Sequence, residues 1–290
     1  MKKQYGTHLL MALLILIWSM DAVTVSLAVQ QMDEFFLLGF KTLCSLPVLF
    51  LYVGLREGLH LPRKRDIPLL IASAVLGDIL YFGSEYTAYH YLPIGTVTVL
   101  LGILPAASYV VDCIVARRRP RPLVLVLIAL SIGGLLLVVL YEMGTGRLRG
   151  YLACAACTVI WIVYGYVTRR LHRTYSARSI TLYESVLATA ILLPIAILRR
   201  PETIGTAQVL ISIVLMGILT SGFGYIIEVR GLVDLGTTVS GIYVNLLPLV
   251  TAAAGYLILH QSMTPLQLIG GAVMIVSGFF VIRLTGGEEP

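Results

Sequence analysis

Apolar residues along this chain come in runs of about twenty, separated by short polar or charged segments. A helix of about twenty residues spans ~30 Å, the thickness of a hydrocarbon core. The pattern predicts ten such helices, at 7–28, 34–55, 68–90, 94–115, 123–141, 150–168, 179–198, 207–230, 236–258 and 266–284. The connections are too short to hold a soluble domain. The expected fold is therefore an all-α integral membrane protein with ten transmembrane helices.

The ten spans are two copies of one unit. Residues 18–122 slide onto residues 161–265, an offset of 143, with no gap. Trp18 then falls on Trp161, Glu85 on Glu228, Leu92 on Leu235, Pro105 on Pro248 and Pro122 on Pro265. Arg56 falls on Arg199, and Lys41, inside an apolar run, falls on Glu184, inside another. Each copy holds five spans, and five is odd. The second copy must therefore cross the membrane in the opposite sense. The sequence predicts two inverted five-helix repeats, at 1–143 and 144–290. Inverted repeats are the basis of alternating access in many secondary transporters.

Composition agrees: of 290 residues, 58% are hydrophobic and 12% charged, and the mean hydropathy is +0.91. A net charge of +6 would suit a nucleic acid, but its placement argues against that partner. With the N-terminus in the cytoplasm, sixteen Lys and Arg fall inside, four fall outside (Arg147, Arg149, Arg199, Arg200) and Lys41 lies within the membrane. This is the positive-inside bias. It predicts a multi-pass protein of the cytoplasmic (inner) membrane, surrounded by lipid, with both termini cytoplasmic. The bias also shows how the copies keep opposite senses. The loop at 116–122 is rich in Arg, and its counterpart at 259–265 has no Lys or Arg. Lys2 and Lys3 before an apolar run resemble a signal peptide. The internal counterpart of that run, Tyr151–Thr168, is not removable, so the first span is read as a permanent helix.

Ionisable groups in hydrocarbon are costly and are functional candidates by default. The spans contain Asp21, Lys41, Asp78, Glu85, Asp112, Glu184, Glu228 and Arg230. At ~1.5 Å per residue, Asp21, Lys41 and Glu85 lie about 8–10 Å below the outer face. Glu184 and Glu228 lie at similar depth below the inner face, and Asp78 and Asn245 fall near the midplane. The layout is one polar cluster per half with a site between them. Lys41 either neutralises Asp21 or Glu85 in a structural ion pair or acts in gating or substrate contact; Asp21 and Glu184 join it in that group. Asp112 reads as an interfacial carboxylate near Arg117–Arg119, and Arg230 as a cation that reaches the surface along its stem.

Aromatic residues mark the same region. Among sixteen Tyr, Tyr5, Tyr52, Tyr91 and Tyr151 suit the interfacial belt. Tyr81, Tyr86 and Tyr89 share a span with Asp78 and Glu85, while Tyr164 and Tyr243 are well inside theirs. Carboxylates interleaved with aromatic rings suit a substrate amine, through charge and cation–π contacts. Trp18 and Trp161 are candidates for a cavity wall. Pro105 and Pro248 each remove a helix hydrogen bond mid-span, which predicts paired kinks and a hinge. Gly133–Gly134, Gly270–Gly271 and Gly278 suit close helix packing. Cys154 and Cys157 form a lone C-x-x-C without histidine nearby and read as packing residues. No phosphate-binding, zinc or nucleophile motif is present, so no enzyme, cofactor or metal site is expected.

The chain resembles the drug/metabolite transporter superfamily, EamA type, over almost its whole length. The marks are Ile17-Trp18, Phe40-Lys41, the helix ends at 88–93 and 231–236, Pro105 and Pro248, and the tail 263–270 with Ser277-Gly278. The resemblance implies ten helices, cytoplasmic termini and a central cavity lined mainly by the first, third, fourth, sixth, eighth and ninth helices. It implies export of amino acids, other metabolites or toxic compounds, with import in some members. The chain departs where Arg118 and Gln261 replace a common glutamate, and where Met20-Asp21 replaces small and amide residues. Asp21 with Glu85 makes the outer half acidic.

These readings converge on a secondary active transporter of small amine-bearing metabolites, such as amino acids or organic cations. It works by alternating access, as an exporter with proton antiport or as a carrier running down the substrate gradient. The substrate-binding set is Asp78, Glu85, Glu228, Asn245, Tyr81, Tyr243, Trp18, Trp161 and Tyr164. The alternative class is a lipid-handling flippase or a membrane-embedded enzyme. Oligomeric state is left open.

Overall fold

The computed structural model describes residues 2–140, 148–200 and 206–285, all of them helix or short connection, with no strand among them. The repeat boundary expected at 143/144, the Gly144–Gly146 loop and Arg147 lie outside the described residues. Among the described residues nine helices are long and apolar enough to cross a membrane. They are α1 (Tyr5–Ala28), α2 (Glu34–Arg56), α3 (Lys64–Tyr91), α4 (Ile94–Val115), α6 (Leu148–Leu171), α7 (Ala177–Leu198), α8 (Val209–Leu232), α9 (Val239–Leu259) and α10 (Pro265–Leu284). α5 (Pro122–Leu140) is equally apolar and completes ten. Leucines such as Leu9, Leu123, Leu152, Leu198 and Leu257 point outward. In water that surface would aggregate; against lipid it costs nothing.

The two copies start and break alike. Asp33 caps α2, accepting from the backbone N–H of Phe35 at 2.9 Å and Phe36 at 3.3 Å. Its counterpart Ser176 caps α7, accepting from Ser179 N at 3.1 Å. Each cap satisfies backbone donors that a helix start leaves unpaired. The caps also tie α2 to α7 at both ends. Arg199, at the end of α7, pairs with Asp33 at 3.1 Å. Glu57, just past α2, accepts from Ser176 Oγ at 2.5 Å, Ser179 Oγ at 3.0 Å and Arg178 at 2.8 Å. Partial burial pushes the Glu57 carboxyl up, but these hydrogen bonds and the Arg178 charge outweigh it and hold it below its ordinary range.

α3 contains a π-helical stretch at Val75–Tyr81, and α8 contains one at Gly217–Gly224. At the offset of 143 these coincide to within one residue. Such wide turns shift the side chains beyond them around the helix and recur at functional sites. α4 breaks at Gly102–Ile103, ahead of Pro105, and α9 at the equivalent Asn245–Leu246, ahead of Pro248. Proline at the start of the second half-helix has no N–H to donate backward, so the ladder stops there.

One boundary differs from the sequence reading. The first copy ends α3 at Tyr91, with Leu92 extended (φ −126°, ψ 150°) before Pro93. In the second copy one helical stretch, Tyr225–Val244, continues through the expected break at 231–235. Position 93 is Pro and its counterpart 236 is Gly, which keeps its N–H, so the ladder is not forced to stop. The chain still reverses along α1. Gly224 lies against Trp18, and Gly231 against Met11. Asp234 bonds Thr7, Tyr243 bonds His8, and Thr251 bonds Ser19.

Helix pairing follows the two-fold relation. α2 packs on α7, α4 on α9 and α5 on α10, each against its own counterpart, while α1 packs on α8 as α3 packs on α6. α5 and α10 approach so closely that a Cβ on Gly134 would lie 2.6 Å from the Gly270 carbonyl oxygen. This matches small-residue packing between membrane helices.

Candidate functional site

A cavity of about 680 Å³ lies on the axis between the copies. α1, α3, α4, α6, α8, α9 and the end of α10 contribute its walls. It runs from Tyr89 and Thr98 at one end to Asp112 and Arg118 at the arginine-rich end. Tyr89 also lines a separate recess of about 340 Å³, with Ser26, Gln30, His90 and Gln261. Tyr89 therefore borders both spaces. It is buried, and its hydroxyl donates to Glu85 Oε1 at 3.1 Å.

Asp21, Glu85 and Glu228 all line the central cavity, with Trp18, Tyr81, Trp161 and Asn245. Pro105 and Pro248 line it as well, beside the breaks in α4 and α9. Lys41 does not face the cavity. It is buried behind Asp21 and pairs with Asp21 Oδ2. Its ammonium also donates to Tyr86 OH at 3.1 Å and sits 5.6 Å from the Tyr86 ring centroid and 5.9 Å from that of Phe82. Of the two open readings of Lys41, the geometry is that of the ion pair, with Asp21 as partner. The second Asp21 oxygen, Oδ1, is buried and receives no hydrogen bond. No hydrogen bond or ion pair reaches Glu228 among the described residues.

The second copy transforms this cluster. The counterparts of Asp21 and Lys41 are Tyr164 and Glu184, and Tyr164 OH donates to Glu184 Oε2 at 3.2 Å. The ion pair of one half is a tyrosine–carboxyl hydrogen bond in the other. Glu184 also accepts from Ser73 Oγ. Asp78 lies beside this group, on the π-helical stretch of α3, and is buried outside the cavity lining. Tyr164 is behind the wall, but its ring lies 5.2 Å from Trp161, which lies 4.8 Å from Tyr81. At Gly77 an added Cβ would lie 2.6 Å from the Tyr164 ring, so only glycine lets this ring rest on the α3 backbone.

Other expected residues fall elsewhere. Tyr243 is held at the end of α1 by His8 Nδ1 at 2.9 Å and is not on the cavity wall. Asn245 is on the wall, but its amide donates to the Ile275 carbonyl at 2.8 Å, which stitches α9 to α10. Arg230 bonds Asp234 at 3.4 Å on the exposed side of α8. Asp112 accepts from Tyr166 OH at 2.5 Å and pairs with Arg169 at 3.3 Å, and it also lines the cavity. Cys154 and Cys157 are buried and unpaired, and Cys157 Sγ donates to the Tyr81 carbonyl at 3.5 Å. No cluster able to hold a metal occurs among the described residues.

Sequence reading missed Tyr225, Ser240 and Thr251 on the wall and Ser73 behind it. Tyr225 carried a usable signal, since it stands one helical turn before Glu228. Serine and threonine carried none, because they occur in membrane helices wherever two helices pack.

A solved crystal structure aligns with 96% of this chain and 98% of its own at a TM-score of 0.66 and 20% identity, which shows a shared fold. An uncharacterized transporter of Archaeoglobus fulgidus is 25% identical over 93% of this chain and 94% of its own. The threonine/homoserine exporter RhtA of Escherichia coli K12 is 26% identical over 76% of this chain and 72% of its own. A Streptantibioticus cattleyicolor protein named "Probable terminal-alkyne amino-acid exporter" is 24% identical over 80% and 78%. The model of the EamA-like transporter family matches residues 6–140 and again 148–283. The chain belongs to the EamA-like transporter family of the drug/metabolite transporter superfamily, a family of small-molecule transporters and not of enzymes.

Proposed function

We propose that the protein exports small amine-bearing metabolites, amino acids first among them, by proton-coupled alternating access. It does so from the cytoplasmic membrane with both termini inside. The carrying observation is the charge of the cavity wall. Asp21, Glu85 and Glu228 face one space, and Lys41, the buried cation beside them, is already taken by Asp21. An ammonium entering there meets carboxylate oxygens and the faces of Trp18, Tyr81 and Trp161, the surroundings that favour a cation. A volume of about 680 Å³ holds an amino acid with several waters. Two relatives bear names of amino-acid exporters. Lipids cover the outer leucines and take no part in recognition.

On this reading the observed state faces the arginine-rich, cytoplasmic side, with Tyr89 closing the outer end. Binding is tested on purified protein by thermal shift, since a ligand of the native state stabilises by mass action. Threonine and homoserine should stabilise, and N-acetylthreonine should not. Glu85→Gln and Glu228→Gln should each weaken the response. Equal stabilisation by the acetylated and free amines would refute recognition through the acidic wall.

A further inference from the structure

The two halves of the carrier handle buried charge differently, and the difference is localised. In the first copy Asp21 and Lys41 neutralise each other. In the second their counterparts, Tyr164 and Glu184, contain an acid and no base. Asp78 then adds a second acid where the offset places Ser221 in the other copy. Asp78 is 8% exposed and Glu184 5% exposed, so water does not bathe either.

The surroundings supply no cation. α7 contributes Glu184, whose charge is felt by Asp78. α6 contributes Tyr164 and α8 contributes Tyr225, both within electrostatic reach of the pair, and Glu228 on α8 lies within reach of the two tyrosines. Among the described residues no Lys, Arg or His forms an ion pair with any of them. Asp78 Oδ2 is buried and receives no hydrogen bond, an open acceptor beside an acid. Two uncompensated carboxylates at close quarters repel, and a proton on either removes the repulsion.

We propose that Asp78 and Glu184 form a proton-binding site that is separate from the substrate cavity and sits behind its wall. A proton from water on one face adds to a carboxylate oxygen of the pair and leaves to water on the other face. No other bond forms or breaks. The site communicates with substrate through Tyr164, whose hydroxyl bonds Glu184 and whose ring contacts Trp161, which in turn contacts Tyr81 on the cavity wall. Placement on the π-helical stretch of α3 puts Asp78 where one helix has a local alternative winding. This site deepens the antiport reading above and rests on it for its role in transport.

The chain has two tryptophans, which makes the site observable without substrate. In a Trp18→Phe background, Trp161 emission should change with pH in one step. The step should vanish when Asp78→Asn and Glu184→Gln are combined and should persist in Glu85→Gln. A step that survives the combined variant, or that Glu85→Gln abolishes, overturns the assignment. In proteoliposomes, each of Asp78→Asn and Glu184→Gln should lose pH-gradient-driven threonine flux and retain threonine–threonine counterflow. Loss of counterflow as well would place the pair in general carrier function and overturn the proposal. Gradient-independent flux in the unsubstituted protein, with the fluorescence step intact, would refute the antiport reading and leave the proton site standing.

Discussion

Lys41→Met removes the cation from a pocket that holds Asp21 at 9% exposure and Lys41 at 4%. Methionine keeps most of the stem, so little packing volume is lost. What remains is a buried carboxylate without its partner, and the Tyr86 hydroxyl without its donor. Breaking a buried pair by removing one member costs about 3–5 kcal/mol. At ~2 °C per kcal/mol for a chain of this length, the unfolding temperature falls by about 6–10 °C. Lys41→Met/Asp21→Asn leaves two neutral groups of similar shape and should recover most of that loss. Lys41→Met/Glu85→Gln should not, because Glu85 is held by Tyr89 and not by Lys41. The assay is thermal unfolding of the detergent-purified variants. A single mutant as stable as the parent, or recovery by Glu85→Gln and not by Asp21→Asn, would refute the pairing.

Two further outcomes are expected. Gly77→Ala pushes a methyl group to 2.6 Å from the Tyr164 ring, whereas Gly165→Ala points into open space. The first should lower stability by about 1–3 kcal/mol and alter Trp161 emission, and the second should do neither; identical behaviour would sink the ring-on-backbone account. Reporter fusions should place the loops at 56–66 and 116–122 in the cytoplasm and the one at 142–149 outside. The opposite pattern would invert the orientation on which the export direction rests.

Membrane physics made most of the fold legible. A backbone in hydrocarbon must satisfy its own hydrogen bonds, so twenty apolar residues leave the helix as the one answer for a single segment. The internal repeat then supplied what periodicity does not. Trp18 on Trp161 and Pro105 on Pro248 anticipated walls and breaks that the structure places on the cavity. Depth counting put Asp21, Lys41 and Glu85 at one level, and Asp21 and Lys41 do pair. The same counting put Asp78 near the midplane, yet depth says nothing about azimuth. A π-helical turn changes azimuth without changing composition, so Asp78 lies behind the wall and not on it. Tyr243 was misleading for a related reason. Its hydroxyl bonds His8 at the end of α1, a contact that its position within a span does not reveal.

The asymmetry between the copies is where fold becomes mechanism. An exact two-fold carrier would be equally open or equally closed at both faces and would move nothing. Here α1 packs against α9, with Thr251 Oγ1 donating to Ser19 Oγ at 3.1 Å in a buried contact. The counterpart pair, α6 and α4, is less closely packed, and Ser108, the counterpart of Thr251, is left on the cavity wall. The aromatic contacts differ in the same sense. Tyr81 on α3 packs against Trp161 with ring centroids 4.8 Å apart, while its counterpart Gly224 on α8 lets Trp18 come against the backbone. On the proposed alternating-access reading, the tight pairs close one end and the loose pair opens the other. On that reading, exchanging the two arrangements would carry the opening to the opposite face, with the Thr251–Ser19 bond given up and not replaced, because Ile162 is the counterpart of Ser19. The helix breaks before Pro105 and Pro248 lie on those moving walls. On the same proposed reading they would mark where α4 and α9 bend, while α2 and α7, tied at both ends by Arg199–Asp33 and by Glu57 with Ser176 and Arg178, would stay fixed.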